Sequence, residues 1–162
     1  MKSAWVTNIN SVEKGFLIKE KISGDMLYDF LESVNTDFPI PLSQKISLRE
    51  YAEKIIEFGE IVVALEKNTL KGLAIGYTEN LKGNSAYISV VGVKKEFRGS
   101  GIGKKVVQKF IEICRQKKIK SVNLYTHKSN KAAIKMYKAL GFKENSLSEE
   151  ERIHDIHFIL QL

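Results

Sequence analysis

The chain has 162 residues, 43% of them hydrophobic, enough for one buried core and short for two ordinary domains, so a single domain over 1–162 is expected. Its 26 basic and 19 acidic residues give a net charge of +7, which suits nucleic acid, a membrane surface or a small polyanion without choosing among them. No apolar run approaches the length of a bilayer span and the opening residues soon turn polar, so a cytoplasmic protein is expected, while the single cysteine, Cys114, excludes an intrachain disulfide.

Residues 24–34 place Met26, Leu27, Phe30, Leu31 and Val34 at helical spacing. Pro39 and Pro41 then punctuate a loop, and Ser47-Leu48-Arg49-Glu50 has the form of a capping box that opens a helix to about Phe58, stopped by Gly59. Strands follow at 61–66 and 70–78 across a turn at 67–69, and at 86–93 after a loop at 80–84. Short connections with Asn and Gly predict antiparallel hairpins. Ile102, Val106, Val107, Phe110, Ile111 and Cys114 make one face of a helix over 102–118, with Cys114 read as a core residue. The strand at 121–126 should lie parallel to the preceding one, because a full helix separates them. A helix from about 130 to 140 presents Ala133, Met136, Tyr137 and Leu140 and ends at Gly141; residues 142–144 and 152–161 supply final strands. The order predicts a mixed α/β sheet flanked by about four helices.

Between the third strand and its helix stands Arg98-Gly99-Ser100-Gly101-Ile102-Gly103. A glycine-rich turn opening a helix can hold phosphate oxygens on main-chain N–H groups, since the first turn leaves donors unpaired, the helix dipole favours negative charge and glycine has no Cβ in the way. A P-loop is disfavoured: with Gly103 and Lys104 as its end, Arg98 would sit at the first glycine and Lys105 at the magnesium-binding hydroxyl. The dinucleotide spacing also fails, because Gly103 follows Gly101 by two residues instead of three. A cluster that merely ends a strand is the plain alternative. Lys104, Lys105, Lys128, Lys131, Lys135 and Lys138 gather around this turn and the later helix, which favours a local anion site over a nucleic-acid stripe, though any one of them also suits a solvated helix face.

Arg98, Gly101 and Gly103 match Arg/Gln-x-x-Gly-x-Gly/Ala, and Asn130, Tyr137, Gly141 and Phe142 match a second spaced set; together these resemble the two core motifs of the GNAT superfamily of N-acetyltransferases. The resemblance covers residues 60–145, while 1–59 match only in plan. It implies a GNAT-like mixed sheet with antiparallel N-terminal strands and a parallel, splayed pair. Residues 1–59 would hold acceptor-side helices and a first strand, 60–145 the acetyl-coenzyme A core, and 146–162 a C-terminal strand.

The resemblance implies acetyl-coenzyme A as co-substrate, with no metal. Its pyrophosphate would lie on the amides of Arg98, Gly99, Ser100, Gly101, Ile102 and Gly103, and its amide-bearing arm would pair along Val91 and Val93. Asn130 would bond the same arm, its other reading being an N-cap. Tyr137 would protonate the departing thiolate, its other reading being a core aromatic beside Met136 and Leu140. No acid occurs in 86–93, so the base stays open among Glu66, Glu79, His154, His157 and a water chain. The acceptor would be a primary amine of a small molecule, received by the segment 25–58 and the Pro-bearing loop; Phe38 to Ser43 followed by Tyr51-Ala52-Glu53-Lys54 resembles a subgroup that suggests an amino sugar. A peptide or protein amine, and a noncatalytic acyl-coenzyme A sensor, are the competing readings. The last strand could also pair across a homodimer.

Overall fold

A computed structural model describes residues 22–67, 69–79, 81–146 and 152–162. Helices α1 (Gly24–Val34) and α2 (Leu48–Phe58) come first, joined through two 3-10 turns. Ser23 Oγ accepts the Met26 N–H and Ser47 Oγ accepts the Glu50 N–H, so each helix starts on a serine cap worth about 1 kcal/mol. The first strand expected within 1–59 lies outside the described residues, since 22–59 hold only helices and turns. There follow β1 (Glu60–Glu66), β2 (Thr69–Tyr77), β3 (Ser85–Val93), α3 (Ile102–Gln116), β4 (Ser121–His127), α4 (Lys131–Ala139), β5 (Lys143–Asn145) and β6 (Asp155–Gln161).

The strands form one sheet in the order β1-β2-β3-β4-β6-β5. β1, β2 and β3 pair antiparallel and β3 pairs parallel with β4, as the hairpin and crossover patterns predict. The close of the chain departs from simple succession: β6 inserts between β4 and β5, antiparallel to both. β6 is thus paired with β4 along its whole length and with β5 at Ile159, Phe158 and His157; among the described strands the edges are β1 and β5.

The sheet is buried on both faces. Along β1, Ile61, Val63 and Leu65 pack with α1 and α2, whereas Val62 and Ala64 pack with α3, so the strand reads as a continuous apolar run. Phe110 of α3 and Phe158 of β6 are fully buried on the α3 side, each contributing roughly 2–3 kcal/mol by its burial.

In β3 the alternation slips. Ala86 and Ile88 face α3, but Val90 joins the α1/α2 cluster and Val91 and Val93 return to the α3 side. The cause is a β-bulge: Ile75 pairs with Val90 and Gly76 with Ile88, leaving Ser89 as the extra residue. One added residue exchanges the faces of everything after it. Gly76 makes the bulge sterically feasible, because a Cβ there would stand 2.0 Å from the Tyr87 carbonyl oxygen.

Candidate active site

β3 and β4 share only four registers, from Ser85 opposite Ser121 to Ile88 opposite Leu124. Beyond them β3 runs on to Val93 and β4 to His127 without pairing, so the parallel pair is splayed and the far edge of β3 is open past the bulge. Two cavities flank the gap. One, of about 460 Å³, is lined by Val91, Gly92, Val93, Arg98, Gly99 and residues 101–104, together with Asn130. The other, of about 380 Å³, is lined by Tyr51, Tyr87, Ser89, Tyr125, Tyr137 and Asp155 among others. They share Phe38, Val91, Asn130, Ala133 and Met136 as a common wall.

The glycine turn is built as an open donor row. Gly99 and Gly101 sit at φ +78° and +82°, and a Cβ on either would meet nothing within 4 Å. The first helical bond of α3 is Lys105 N–H to the Gly101 carbonyl; among the described residues, no main-chain N–H of residues 99–104 has a protein acceptor. The side chains brace this row. Arg98 donates from Nε to the Val93 carbonyl at 3.0 Å and from its guanidinium to Asp37 at 2.6 Å, tying the glycine turn to the 3-10 turn that follows α1. Ser100 Oγ donates to the Phe97 carbonyl at 2.6 Å. The Arg98 N–H, expected in the row, instead donates to the Lys95 carbonyl at 3.3 Å, because residues 95–97 close a 3-10 turn, so Arg98 braces the row while Ser100 keeps its main-chain N–H unpaired among the described residues. Gly103 sits against α4, where a Cβ would press on Met136 Sδ at 3.3 Å.

Asn130 is the N-cap of α4. Its Oδ1 accepts the Ala133 N–H at 3.3 Å as the N-cap of α4, while its Nδ2 lacks an acceptor among the described residues and the side chain lines both cavities. Tyr137 is a core aromatic that also lines the second cavity. Its ring packs edge-on to Phe142 and tilted to Phe158, and among the described residues its hydroxyl bonds no protein group. Burial pushes the phenol well above its ordinary range, so it keeps its proton at neutral pH.

The residues considered for a base stand elsewhere. Glu66 pairs with Lys71, whose bond holds its carboxyl below the usual range, and Glu79 lies near Lys117 at the C-terminal end of α3. His157 stacks on Tyr125 and bonds Asn145 and Asn123, and His154 stacks on His127; none of the four lines either cavity. The wall of the second cavity instead carries Asp155, which lies 3.7 Å from Arg152, itself stacked 4.0 Å above the Tyr125 ring. Asp155 stands between the two histidines considered on the last strand. The Tyr51–Ser89 contact went unanticipated as well; the doubled Val90-Val91, a break in strict alternation, was its readable sign. The loop Phe38, Pro39, Ile40 and Leu42 lines the same cavity, as its rigid apolar composition predicts.

The family model for acetyltransferase (GNAT) family proteins matches residues 27–142. The thialysine N-epsilon-acetyltransferase of Bos taurus is 38% identical over 77 residues, covering 48% of this chain and 44% of that protein, so the chain matches less than half of that relative's length. N-alpha-acetyltransferase 30 of Schizosaccharomyces pombe is 28% identical over 122 residues, 74% of this chain and 79% of that protein. Among solved structures, a Bacillus subtilis acetyltransferase in complex with CoA superposes with a TM-score of 0.66 at 19% identity, over 89% of this chain and 95% of that one.

Proposed function

Because the chain belongs to the acetyltransferase (GNAT) family, we propose that it moves an acetyl group from acetyl-coenzyme A to a primary amine. The observation that carries this reading is the row of unpaired N–H groups at residues 99–104, beside a strand pair that parts, with a phenol hydroxyl on the wall of the adjoining cavity. Bound acetyl-coenzyme A supplies the acetyl group as a thioester. The donor row and the dipole of α3 hold the pyrophosphate, and the two left-handed glycines let it approach the backbone. The open edge of β3 pairs with the amide-bearing arm; Val91 is the better partner, because the Val93 carbonyl already accepts from Arg98. Asn130 Nδ2 donates to the same arm.

As the N–C bond forms and the thioester C–S bond breaks, Tyr137 delivers its proton to the leaving sulfur. Asp155, the one carboxylate lining the acceptor cavity among the described residues, takes the amine's proton. The acceptor is a small-molecule amine, amino sugars included, which the volume of about 380 Å³ and the ring of hydroxyl groups support. A peptide amine is the second reading, favoured by the longer alignment with the N-alpha-acetyltransferase relative. Thiol release across amino sugars, polyamines, amino acids and a lysine peptide tests the proposal. Release with at least one amine is expected; coenzyme binding without release from any of them would refute turnover and favour a sensor.

A further inference from the structure

The bulge in β3 carries a hydrogen-bond chain whose direction is fixed by the chemistry of its members. Ser89 Oγ lies 3.2 Å from the Ile75 carbonyl oxygen and is also bonded to the Tyr51 hydroxyl. A carbonyl oxygen can only accept, so the single Ser89 proton points to Ile75. Ser89 is left with lone pairs alone on its other side, and Tyr51 must donate to it. The Tyr51 hydroxyl therefore has lone pairs, and no proton, to offer a third group. Tyr51, Ser89 and Tyr137 all line the acceptor cavity. Tyr51 reaches it from α2, and Ser89 is there only because the bulge adds a residue to β3.

We propose, on the acetyl-transfer reading above, that Tyr51 binds the incoming amine by accepting one of its N–H groups, and that Ser89 is the positioning residue that keeps the Tyr51 proton out of the way. A phenol with a free proton would donate it to the amine's lone pair, the pair that must attack the acetyl carbon. Committing that proton to Ser89 removes this arrangement and leaves the lone pair unmasked. The chain ends on a carbonyl and carries no proton away, so it orients the nucleophile without deprotonating it. The cavity thereby selects a group that brings a donor to Tyr51 and disfavours ether or carbonyl oxygens, which bring only lone pairs.

The test combines NMR of protein carrying 13C-labelled tyrosine with steady-state kinetics on wild type, Tyr51→Phe, Ser89→Ala and Ser89→Thr. A slowly exchanging Tyr51 hydroxyl proton in contact with the Ser89 β-protons is expected in wild type, lost in Ser89→Ala and restored in Ser89→Thr. In kinetics, Tyr51→Phe should raise KM for the amine about tenfold with kcat within about threefold, the loss of roughly one hydrogen bond to a charged or polar partner. Ser89→Ala should lower kcat by about fivefold or more at unchanged KM, and Ser89→Thr should recover it. Coenzyme A affinity should be the same in all four proteins. A Tyr51 hydroxyl signal unaffected by Ser89→Ala, or a Tyr51→Phe enzyme with wild-type KM, would overturn the proposal. Absence of thiol release by wild type would instead sink the acetyl-transfer reading, and the NMR comparison would still decide how Tyr51 and Ser89 are oriented.

Discussion

Gly101→Ala separates what the glycine turn does for the fold from what it does for a ligand. Gly101 caps α3 at φ +82°, where an L-residue costs about 1–2 kcal/mol, and its Cβ would touch no protein atom. For a chain of this size that cost lowers Tm by roughly 2–8 °C. The new methyl stands in the cavity beside the unpaired amides, so it should displace at least one bond to an anionic ligand, each worth about 1.5–3 kcal/mol. Coenzyme A affinity should then fall roughly 10- to 100-fold. Gly83 provides the control: at φ +70°, with equally open space and away from both cavities, Gly83→Ala pays the same backbone cost. Thermal melts and calorimetric titration with coenzyme A on both variants make the comparison. Similar Tm losses with weakened binding in Gly101→Ala alone are expected; binding within about twofold of wild type in Gly101→Ala would refute the assignment of the donor row.

Tyr137→Phe should cut turnover by about 10²- to 10⁴-fold while leaving coenzyme affinity and Tm nearly unchanged, because the hydroxyl bonds no protein group among the described residues; unaltered kcat would exclude it as the acid. Asp155→Asn should lower kcat/KM for the amine by at least about tenfold with coenzyme affinity unchanged; an unaltered kcat/KM would exclude it as the base. Gly76→Ala, with its Cβ 2.0 Å from the Tyr87 carbonyl, should cost about 3 kcal/mol or more in denaturant unfolding, or collapse the bulge; a cost under about 1 kcal/mol would show the bulge is not held open by glycine. Burial pushes the Cys114 thiol up to about 12, so thiol reagents at pH 8 should modify it only after unfolding. The same shift is a stability statement: the unfolded thiol loses its proton first, so this contribution is complete below pH 9 and is lost as pH rises towards 12, measured as falling denaturant stability.

Much of this architecture was legible because each element carries a local cause. The apolar spacing of α3, the capping box of α2 and the Asn-bearing hairpin connections are short-range signals, and the structure follows them to within a residue or two. The glycine turn was legible too, since its open row of main-chain donors follows from the glycines themselves and no distant side chain need announce it. What escaped was non-local. The insertion of β6 between β4 and β5 depends on which edge lies open after β4 forms, and no single segment encodes that. The Tyr51–Ser89 contact joins residues 38 apart through a bulge whose partner glycine lies on a third element. Asp155 reaches the wall of the second cavity only because β6 pairs with the splayed end of β4, where it lies opposite His127.

The short register between β3 and β4 leaves this sheet one strand short along half its middle. A guest that fills the vacancy with amides of its own would complete the ladder and add binding free energy to folding free energy, about 2.7 kcal/mol at a hundredfold excess over its Kd. Resistance to heat and proteolysis would then track the supply of that guest, making the protein's lifetime a gauge of how well its substrate is stocked.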